Sequence, residues 1–180
     1  MDGTVRRRNK WARPSLRARA RPPKRRTALG QAFSAVNLST SLMLQKCLAC
    51  GRERYPSTEI CGHCLSSDWL FEAVSGSGTL LVTTELRHSL WEYFKRRILR
   101  QPWFIGSVRL DSGPTVIAHL GDSSLAAGDR VEVFSHRDVS LSSVMIAVAE
   151  SEAPLPLAER SACVSRLGLD EPADREGGLE

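Results

Sequence analysis

Two Cys-x-x-Cys pairs constrain the fold of this chain more than any other feature of its sequence. Cys47 and Cys50 form the first pair, and Cys61 and Cys64 form the second after an interval of ten residues. Each pair can direct two sulfur atoms at one ion, so that the four together complete a tetrahedron. A compact set of four thiolates selects zinc or, less often, iron. We therefore predict one structural zinc ion bound by these four cysteines.

A site with four protein ligands has no open position, so it activates no water and polarises no substrate. The ion instead stabilises a ribbon of about twenty residues, which is too small to bury a sufficient core of its own. Two other interpretations of the motif remain open. The cysteines could be disulfides or free thiols, or they could bind iron in an electron carrier of the rubredoxin type.

The residues around the cysteines fit a pair of metal-binding knuckles. Gly51 follows the first pair and Gly62 lies inside the second, and we expect a positive φ at both, which glycine adopts without strain. His63 is not needed as a ligand and is predicted to be exposed. The fifth cysteine, Cys163, is predicted to be a free thiol, with a regulatory role as the alternative.

The formal net charge of +5 is distributed very unevenly along the 180 residues. Residues 1–30 contain eleven lysines and arginines but one acid, residues 31–149 are balanced, and residues 150–180 carry a net charge of −5. The basic excess therefore belongs to an arm and not to a folded surface. We interpret residues 1–37 as a basic disordered arm with a possible short helix. It could bind nucleic acid or a membrane surface, be an organelle transit peptide, or precede a true translation start at Met43.

The compartment can be predicted from the apolar pattern and the cysteines. No apolar run approaches the roughly 18 residues that a membrane span requires, and no secretory signal is apparent near the start. Five cysteines, four of them in a metal pattern, fit a reducing compartment. We predict a cytoplasmic protein with no membrane partner.

From residue 69 onwards the pattern changes to short β-strands. Residues 69–74 lead into Gly76 and Gly78, and paired glycines in an extended run favour the sharp bend with which small barrels turn a corner. The further strand candidates, separated by turn signals, are Trp103–Leu110, Thr115–Leu120, Arg130–Phe134 and Ser143–Val148.

The predicted fold class is mainly β, with a rubredoxin-like zinc ribbon over residues 38–68. A small five-stranded OB-fold barrel follows over residues 69–150, with one inserted helix. Residues 151–180 are predicted to form an acidic flexible tail, because they are rich in Ala, Pro, Glu and Asp and lose the β periodicity.

The inserted helix is predicted over residues 88–100, where Pro102 ends it. Its apolar stripe, formed by Leu90, Trp91, Phe94 and Ile98, could simply pack on the barrel. Alternatively, the helix contacts a partner protein or the phosphates of a ligand. The candidate contact residues are Trp91, Phe94, Lys95, Arg96, Arg97 and Arg100.

Nothing in the sequence indicates catalysis by this chain alone. It contains no nucleophile elbow, no P-loop and no His-Glu-x-x-His motif. His88, His119 and His136 are scattered, and the alternation of His119 with Ile117 suggests that His119 faces solvent or fills a satisfied polar position. We predict that the protein is not an enzyme.

Several short motifs occur together in one order along residues 38–149. They are Cys47-x-x-Cys50-Gly51, Tyr55-Pro56, Cys61-x-x-Cys64, Gly76-Ser77-Gly78-Thr79 and Ala127-Gly128-Asp129-Arg130-Val131-Glu132-Val133. This combination resembles the zinc-ribbon/OB-fold proteins that accompany thiolase-like and other acyl-CoA enzymes, an acyl-CoA-associated domain-of-unknown-function family.

The resemblance implies a non-catalytic accessory subunit with one structural zinc ion. Such a subunit would dock on a thiolase-fold enzyme, a hydratase or an aldolase and help to bind or channel acyl-CoA substrates in lipid metabolism. The chain departs from the family pattern between the knuckles, where many members have several prolines and this chain has only Pro56. The basic arm and the acidic tail also lie outside the pattern, so only the four cysteines carry over as site residues.

A different class of function is binding of single-stranded nucleic acid, because OB-fold barrels use aromatic platforms and basic grooves for this purpose. Trp103 and Phe104 start a predicted strand and could stack on bases. The strands offer few cations, chiefly Arg109 and Arg130, and the folded region sums to zero charge. Nucleic acid is therefore the less favoured partner.

Overall fold

A computed structural model describes residues 25–37, 41–90, 94, 95, 98, 102–138, 142–151 and 156–169. Helix α1 precedes three strands of a ribbon, five further strands form a barrel, and helix α2 follows. The elements are α1 (Ala28–Val36), β1 (Leu42–Cys47), β2 (Glu53–Arg54), β3 (Trp69–Val74), β4 (Ser77–Leu86), β5 (Trp103–Leu110), β6 (Thr115–Leu120), β7 (Arg130–Arg137), β8 (Ser143–Ala149) and α2 (Leu157–Arg166).

The ribbon is a three-stranded antiparallel sheet with β1 in the centre, in the order β2-β1-β3. Helix α1 begins at its N-cap Thr27, whose hydroxyl accepts a hydrogen bond from the Gly30 N–H. Phe33 of α1 lies between Tyr55 and Phe71, with ring centroids 5.9 and 6.1 Å away. The aromatic side chains thus fix α1 against the ribbon.

The five-stranded closed barrel has the strand order β4-β5-β6-β8-β7, and β7 pairs back with β4. All neighbours are antiparallel except β6 and β8, which run parallel. The predicted mainly β fold, a zinc ribbon with a five-stranded OB-fold barrel, is confirmed. Gly76 is needed for a close approach of two backbones, because a Cβ at this position would lie 1.9 Å from the Val133 carbonyl oxygen.

Strand pairing extends across the predicted domain boundary at residue 69. Strand β3 pairs along its whole length with β1, from Leu42 opposite Val74 to Cys47 opposite Trp69. It therefore belongs to the ribbon sheet, and the barrel begins with β4. Glycines 76 and 78 mark the passage from one sheet to the other rather than a bend within one barrel strand.

One hydrophobic core serves both the ribbon and the barrel. Leu42 and Leu44 of β1 are buried in the same cluster as the residues that fill the barrel interior, among them Leu80, Val108 and Val131. Because a single cluster of buried side chains joins the two parts, we expect them to fold as one unit.

A buried side-chain amide reinforces this junction. Asn37 is fully buried, and it donates to the carbonyls of Phe33 and Met43 and accepts from the Met43 N–H. Its carbonyl oxygen also accepts a hydrogen bond of 2.6 Å from the hydroxyl of Ser135 on β7. One residue therefore connects α1, β1 and the barrel.

The prediction of an acidic flexible tail over residues 151–180 is wrong for α2 and the turn after it. Cys163 and Val164 of α2 are buried, and Leu169 after the helix is buried with them. They pack on the outside of the barrel, where the indole N–H of Trp103 donates to the Leu167 carbonyl at 3.1 Å. The prediction relied on the overall composition of residues 151–180, which is typical of disorder, and overlooked a short amphipathic segment within it. Residues 152–155 and 170–180 lie outside the described residues.

The predicted inserted helix is described at three positions only. Phe94, Lys95 and Ile98 have helical backbone, and Ile98 is buried. Phe94 is half-buried and packs edge-to-face on Trp103 at 5.9 Å, as expected if the stripe packs on the barrel. In the part of the chain that the structure describes, no helix has the length and apolar composition needed to cross a membrane.

Candidate metal centre

The two knuckles have the same backbone design, repeated fourteen positions apart. In the first, the N–H of Gly51 donates to the carbonyl of Cys47 at 2.9 Å. In the second, the N–H of Leu65 donates to the carbonyl of Cys61 at the same distance. Both donors have a left-handed backbone, with φ of +72° at Gly51 and +61° at Leu65. Each tight turn brings its two cysteines onto one side.

The expectation for the second knuckle is therefore wrong in one detail. The positive φ was predicted at Gly51 and Gly62, and the structure has it at Gly51 and Leu65. The equivalent position is the residue directly after each second cysteine, and the second knuckle places a leucine there. His63 is exposed, as predicted from the sequence.

The four cysteine sulfur atoms converge on one point. All four Sγ atoms lie within 4.8 Å of one another. The Sγ atoms of Cys47 and Cys64 are 3.5 Å apart, and those of Cys50 and Cys61 are 3.8 Å apart. A tetrahedral zinc ion with Zn–S bonds of about 2.3 Å requires sulfur atoms about 3.8 Å apart. The arrangement fits one zinc ion, which would supply structural cross-linking there.

The close approach of the four thiols shifts their pKa values in opposite directions. Backbone N–H donors from Cys64 and His63 lower the pKa of Cys61 to about 6. At Cys64 a backbone N–H from Ser66 lowers the pKa, but burial and the three neighbouring thiols outweigh it and raise the pKa to about 12. Four adjacent thiols therefore do not all ionise by themselves, and a divalent cation removes that obstacle.

Two open clefts border the knuckles, with volumes of about 510 and 370 Å³. They share Arg52, Glu53 and Pro114, and the larger one lies between the first knuckle and the β5–β6 turn. A zinc ion with four thiolates carries a net charge of about −2. Arg52 and Arg54 line the clefts together with Glu53, so both cations and an acid border the knuckles.

Sequence reasoning missed Gln45, which lies two residues before Cys47. Its side chain is fully buried, and both ends of the amide bind the backbone of Thr58. The only signal in the sequence was a polar residue directly after Leu44, on a strand in which Leu42, Leu44 and Cys47 are also buried.

The remaining candidate residues are not assembled into one site by the described structure. Trp91, Arg96, Arg97 and Arg100 lie outside the described residues, and Phe94 and Lys95 are half-buried. His119 does not face solvent, because it is buried 4.9 Å from Trp103 in an edge-to-face contact, while Ile117 is exposed.

Two of the features suggested for nucleic-acid binding, Trp103 and Arg130, are engaged elsewhere, whereas Arg109 is exposed. Trp103 is 1% exposed and lies under α2, so it cannot stack on a base. Arg130 binds both oxygens of Asp111 at 2.7 Å and both oxygens of Glu150 at 2.9 and 3.1 Å. This network links the β5–β6 turn to the end of β8, and its carboxylates neutralise the arginine.

Two family models match the chain. The model described as ChsH2, rubredoxin-like zinc ribbon domain, matches residues 40–69. The model described as ChsH2, C-terminal OB-fold domain, matches residues 71–134. Together the matched ranges cover more than half of the 180 residues. No curated protein sequence matches the chain.

Two solved structures are similar to the chain. One described as the Ltp2–ChsH2(DUF35) aldolase aligns with a TM-score of 0.55 and 21% identity, over 72% of this chain and 98% of that one. A protein of unknown function from the DUF35 family of Sulfolobus solfataricus aligns with a TM-score of 0.45 and 17% identity, over 68% of this chain and 86% of that one.

Proposed function

The chain belongs to the ChsH2 family of zinc-ribbon/OB-fold proteins, and from this premise we propose that it is a non-catalytic accessory subunit of an acyl-CoA-processing enzyme. In this proposal it docks on a thiolase-fold enzyme, a hydratase or an aldolase and helps to bind or channel the acyl-CoA substrate. The aldolase named with the similar solved structure supports an enzyme as the partner. The reduced cysteines of the metal centre favour a cytoplasmic location.

Neither the metal centre nor the barrel interior has room for a substrate, so we place the contacts with the partner and the substrate on the outer surface of the protein. Four thiolates close the coordination sphere of a zinc ion, so the ion has no position for a substrate. The barrel interior is packed with its own side chains, including Leu80, Val108, Val116 and Val131. A small barrel filled in this way presents its ligands and partners to the outside.

The observation that carries the proposal is an uncharged patch on the outer surface of β4, β5 and β6. Strand register places Val82, Ser107 and Ile117 side by side, and Thr84 and Ile105 form the next row of the same surface. Val82 is 56% exposed and Ile117 is 54% exposed. We call these five residues the outer patch.

The composition of the outer patch is that of a protein interface. The solvent-exposed face of a sheet normally carries charged or strongly polar side chains. The centre of a protein interface, by contrast, contains few charged residues. A duplex or single strand of nucleic acid would instead require several cations at this position, and the adjoining row Thr79, Arg109 and Thr115 supplies a single one, the exposed Arg109. The outer patch therefore favours an enzyme subunit as the partner.

The proposal is tested by co-expressing the full chain with thiolase-fold, hydratase and aldolase subunits encoded near its gene. We expect one of them to co-elute in a defined stoichiometry. The variant Ile117→Asp should weaken that complex at least about tenfold, because it places a charge in a desolvated interface. Leu157→Asp is the matched control, since Leu157 is an exposed apolar residue of α2 outside the outer patch.

Two results would contradict the proposal. One is the absence of any complex with these enzyme classes, and the other is turnover of an acyl thioester by the purified chain alone. Binding of single-stranded DNA by a chain that begins at residue 25 and so keeps α1 and Asn37, with a steep salt dependence, would support the nucleic-acid function instead.

A further inference from the structure

Gln45 connects the two halves of the metal centre through one side chain. Its amide nitrogen donates to the Thr58 carbonyl at 2.9 Å, and its amide oxygen accepts from the Thr58 N–H at 2.9 Å. Gln45 lies on β1 two residues before Cys47, and Thr58 lies three residues before Cys61. We propose that Gln45 is a positioning residue of the metal centre, which holds the second knuckle at the correct distance from the first.

The segment between the knuckles depends on this contact. Residues 55–60 have no strand partner among the described residues, so their backbone is not fixed by the ribbon sheet. The two hydrogen bonds of Gln45 reproduce the pairing that a neighbouring strand would provide at Thr58. The amide thus replaces a missing strand at one position.

Thr58 passes the constraint on to the second knuckle. Its hydroxyl donates to the Ile60 carbonyl at 2.9 Å and accepts from the Arg54 side chain at 3.3 Å. Ile60 directly precedes Cys61, so the path from Gln45 to this ligand consists of two residues and their hydrogen bonds. The path reaches Cys61 without crossing the barrel core.

The physical consequence concerns metal affinity. Zinc binding must order any ligand segment that is loose beforehand, and that entropy is lost from the binding free energy. A ribbon in which Gln45 has already fixed Thr58 has less order to gain. Gln45 should therefore raise the affinity for zinc and keep the geometry of the four sulfur atoms uniform.

The test uses the full chain with Gln45→Met, which is close in volume and makes neither hydrogen bond. Zinc affinity is measured by competition with a chromophoric chelator, and geometry by the absorption of the cobalt-substituted protein. We expect Gln45→Met to weaken zinc binding about tenfold or more and to broaden the cobalt bands.

The matched control is Asn37→Leu, because Asn37 is also a fully buried amide that binds backbone groups of β1. It acts at the barrel end of β1, away from the knuckles. We expect it to lower the stability of the protein while changing zinc affinity less than about threefold.

Each other outcome would overturn the proposal. Equal zinc affinities for the native chain and Gln45→Met would show that the amide does not position the site. An equal loss in Asn37→Leu would assign the effect to stability in general. A Gln45→Met chain that stays unfolded in saturating zinc would assign Gln45 to the fold as a whole.

Discussion

Leu65 of the second knuckle has a left-handed backbone, and its replacement by glycine is predicted not to lower the stability of the protein. Leu65 has a φ of +61° and a side chain that is 77% exposed. Its counterpart in the first knuckle is a glycine at φ +72°, so only the second knuckle bears the steric cost. Replacing Leu65 by glycine should therefore stabilise the knuckle or leave it unchanged, whereas most glycine substitutions destabilise.

The magnitude follows from three contributions. A non-glycine residue in the left-handed region costs about 1–2 kcal/mol, which the variant recovers. Roughly a quarter of the leucine side chain is buried, and full burial contributes about 1.5–3 kcal/mol, so about 0.5 kcal/mol is lost. The greater freedom of glycine in the unfolded chain costs about 0.4–1 kcal/mol more. The net change is close to zero, with a gain of a few tenths of a kcal/mol at the centre of the range.

The decisive measurement compares Leu65→Gly with Leu48→Gly by denaturant unfolding in saturating zinc. Leu48 is 60% exposed in the first knuckle and has no positive φ, so its replacement only removes contacts and adds freedom. We expect the two variants to differ by about 1.5–2 kcal/mol in the free energy of unfolding, with Leu48→Gly the less stable. Equal losses in both would refute the assignment of backbone strain to Leu65.

Three further predictions concern the metal, the core and the charge network. Cys47→Ser should abolish stoichiometric zinc and lower the melting temperature of the ribbon and the barrel together, as measured by elemental analysis and circular dichroism, and full metal content with normal melting would contradict this. Leu44→Ala should cost about 2–5 kcal/mol and keep a single unfolding transition, because Leu44 is buried in the core that the ribbon and barrel share; two separate transitions would show that they fold independently. Hydrogen bonds from Arg130 lower the pKa of Asp111 and of Glu150, so their contribution to stability is present above about pH 4 and is lost as the pH falls through the lowered values. The stability of Arg130→Gln should accordingly fall less steeply in this acid range, and identical pH profiles for both proteins would contradict the role of the network.

The metal centre was predictable because its information is local. Four cysteines in two short turns determine ligand identity, number and approximate geometry without knowledge of the rest of the chain. Most barrel strands were predictable for a similar reason, since alternation and turn residues act within a few positions. The position of the second positive φ was not predictable in this way. Glycine is the residue that usually adopts a positive φ, which favoured Gly62, whereas the knuckle geometry requires the positive φ at Leu65.

The elements that sequence reasoning misplaced are those that depend on distant partners. The pairing of β3 with β1 was not predicted, because the pattern of β3 does not show which strand lies beside it. Helix α2 was missed because its apolar side chains are buried against Trp103 and Phe134, and the sequence does not show that this part of the barrel surface lies beside the helix. Gln45 was missed because its partner, Thr58, lies in no strand or helix, so no sequence pattern predicts where the Thr58 backbone is held.

A zinc ion at the end of β1 can affect docking on a partner without contacting a substrate. Strand β1 carries Cys47 at one end, Gln45 beside it, and Leu42 and Leu44 in the barrel core. An ion that fixes the end of β1 therefore also stabilises the packing of the barrel on which the outer patch is built. If docking on an enzyme uses that patch, removal of zinc should weaken docking through the shared core, even though the sulfur atoms lie outside the patch. Such an effect would distinguish a structural ion in a cooperative fold from an ion in an independent ribbon, whose loss would leave the barrel and its partner binding unchanged.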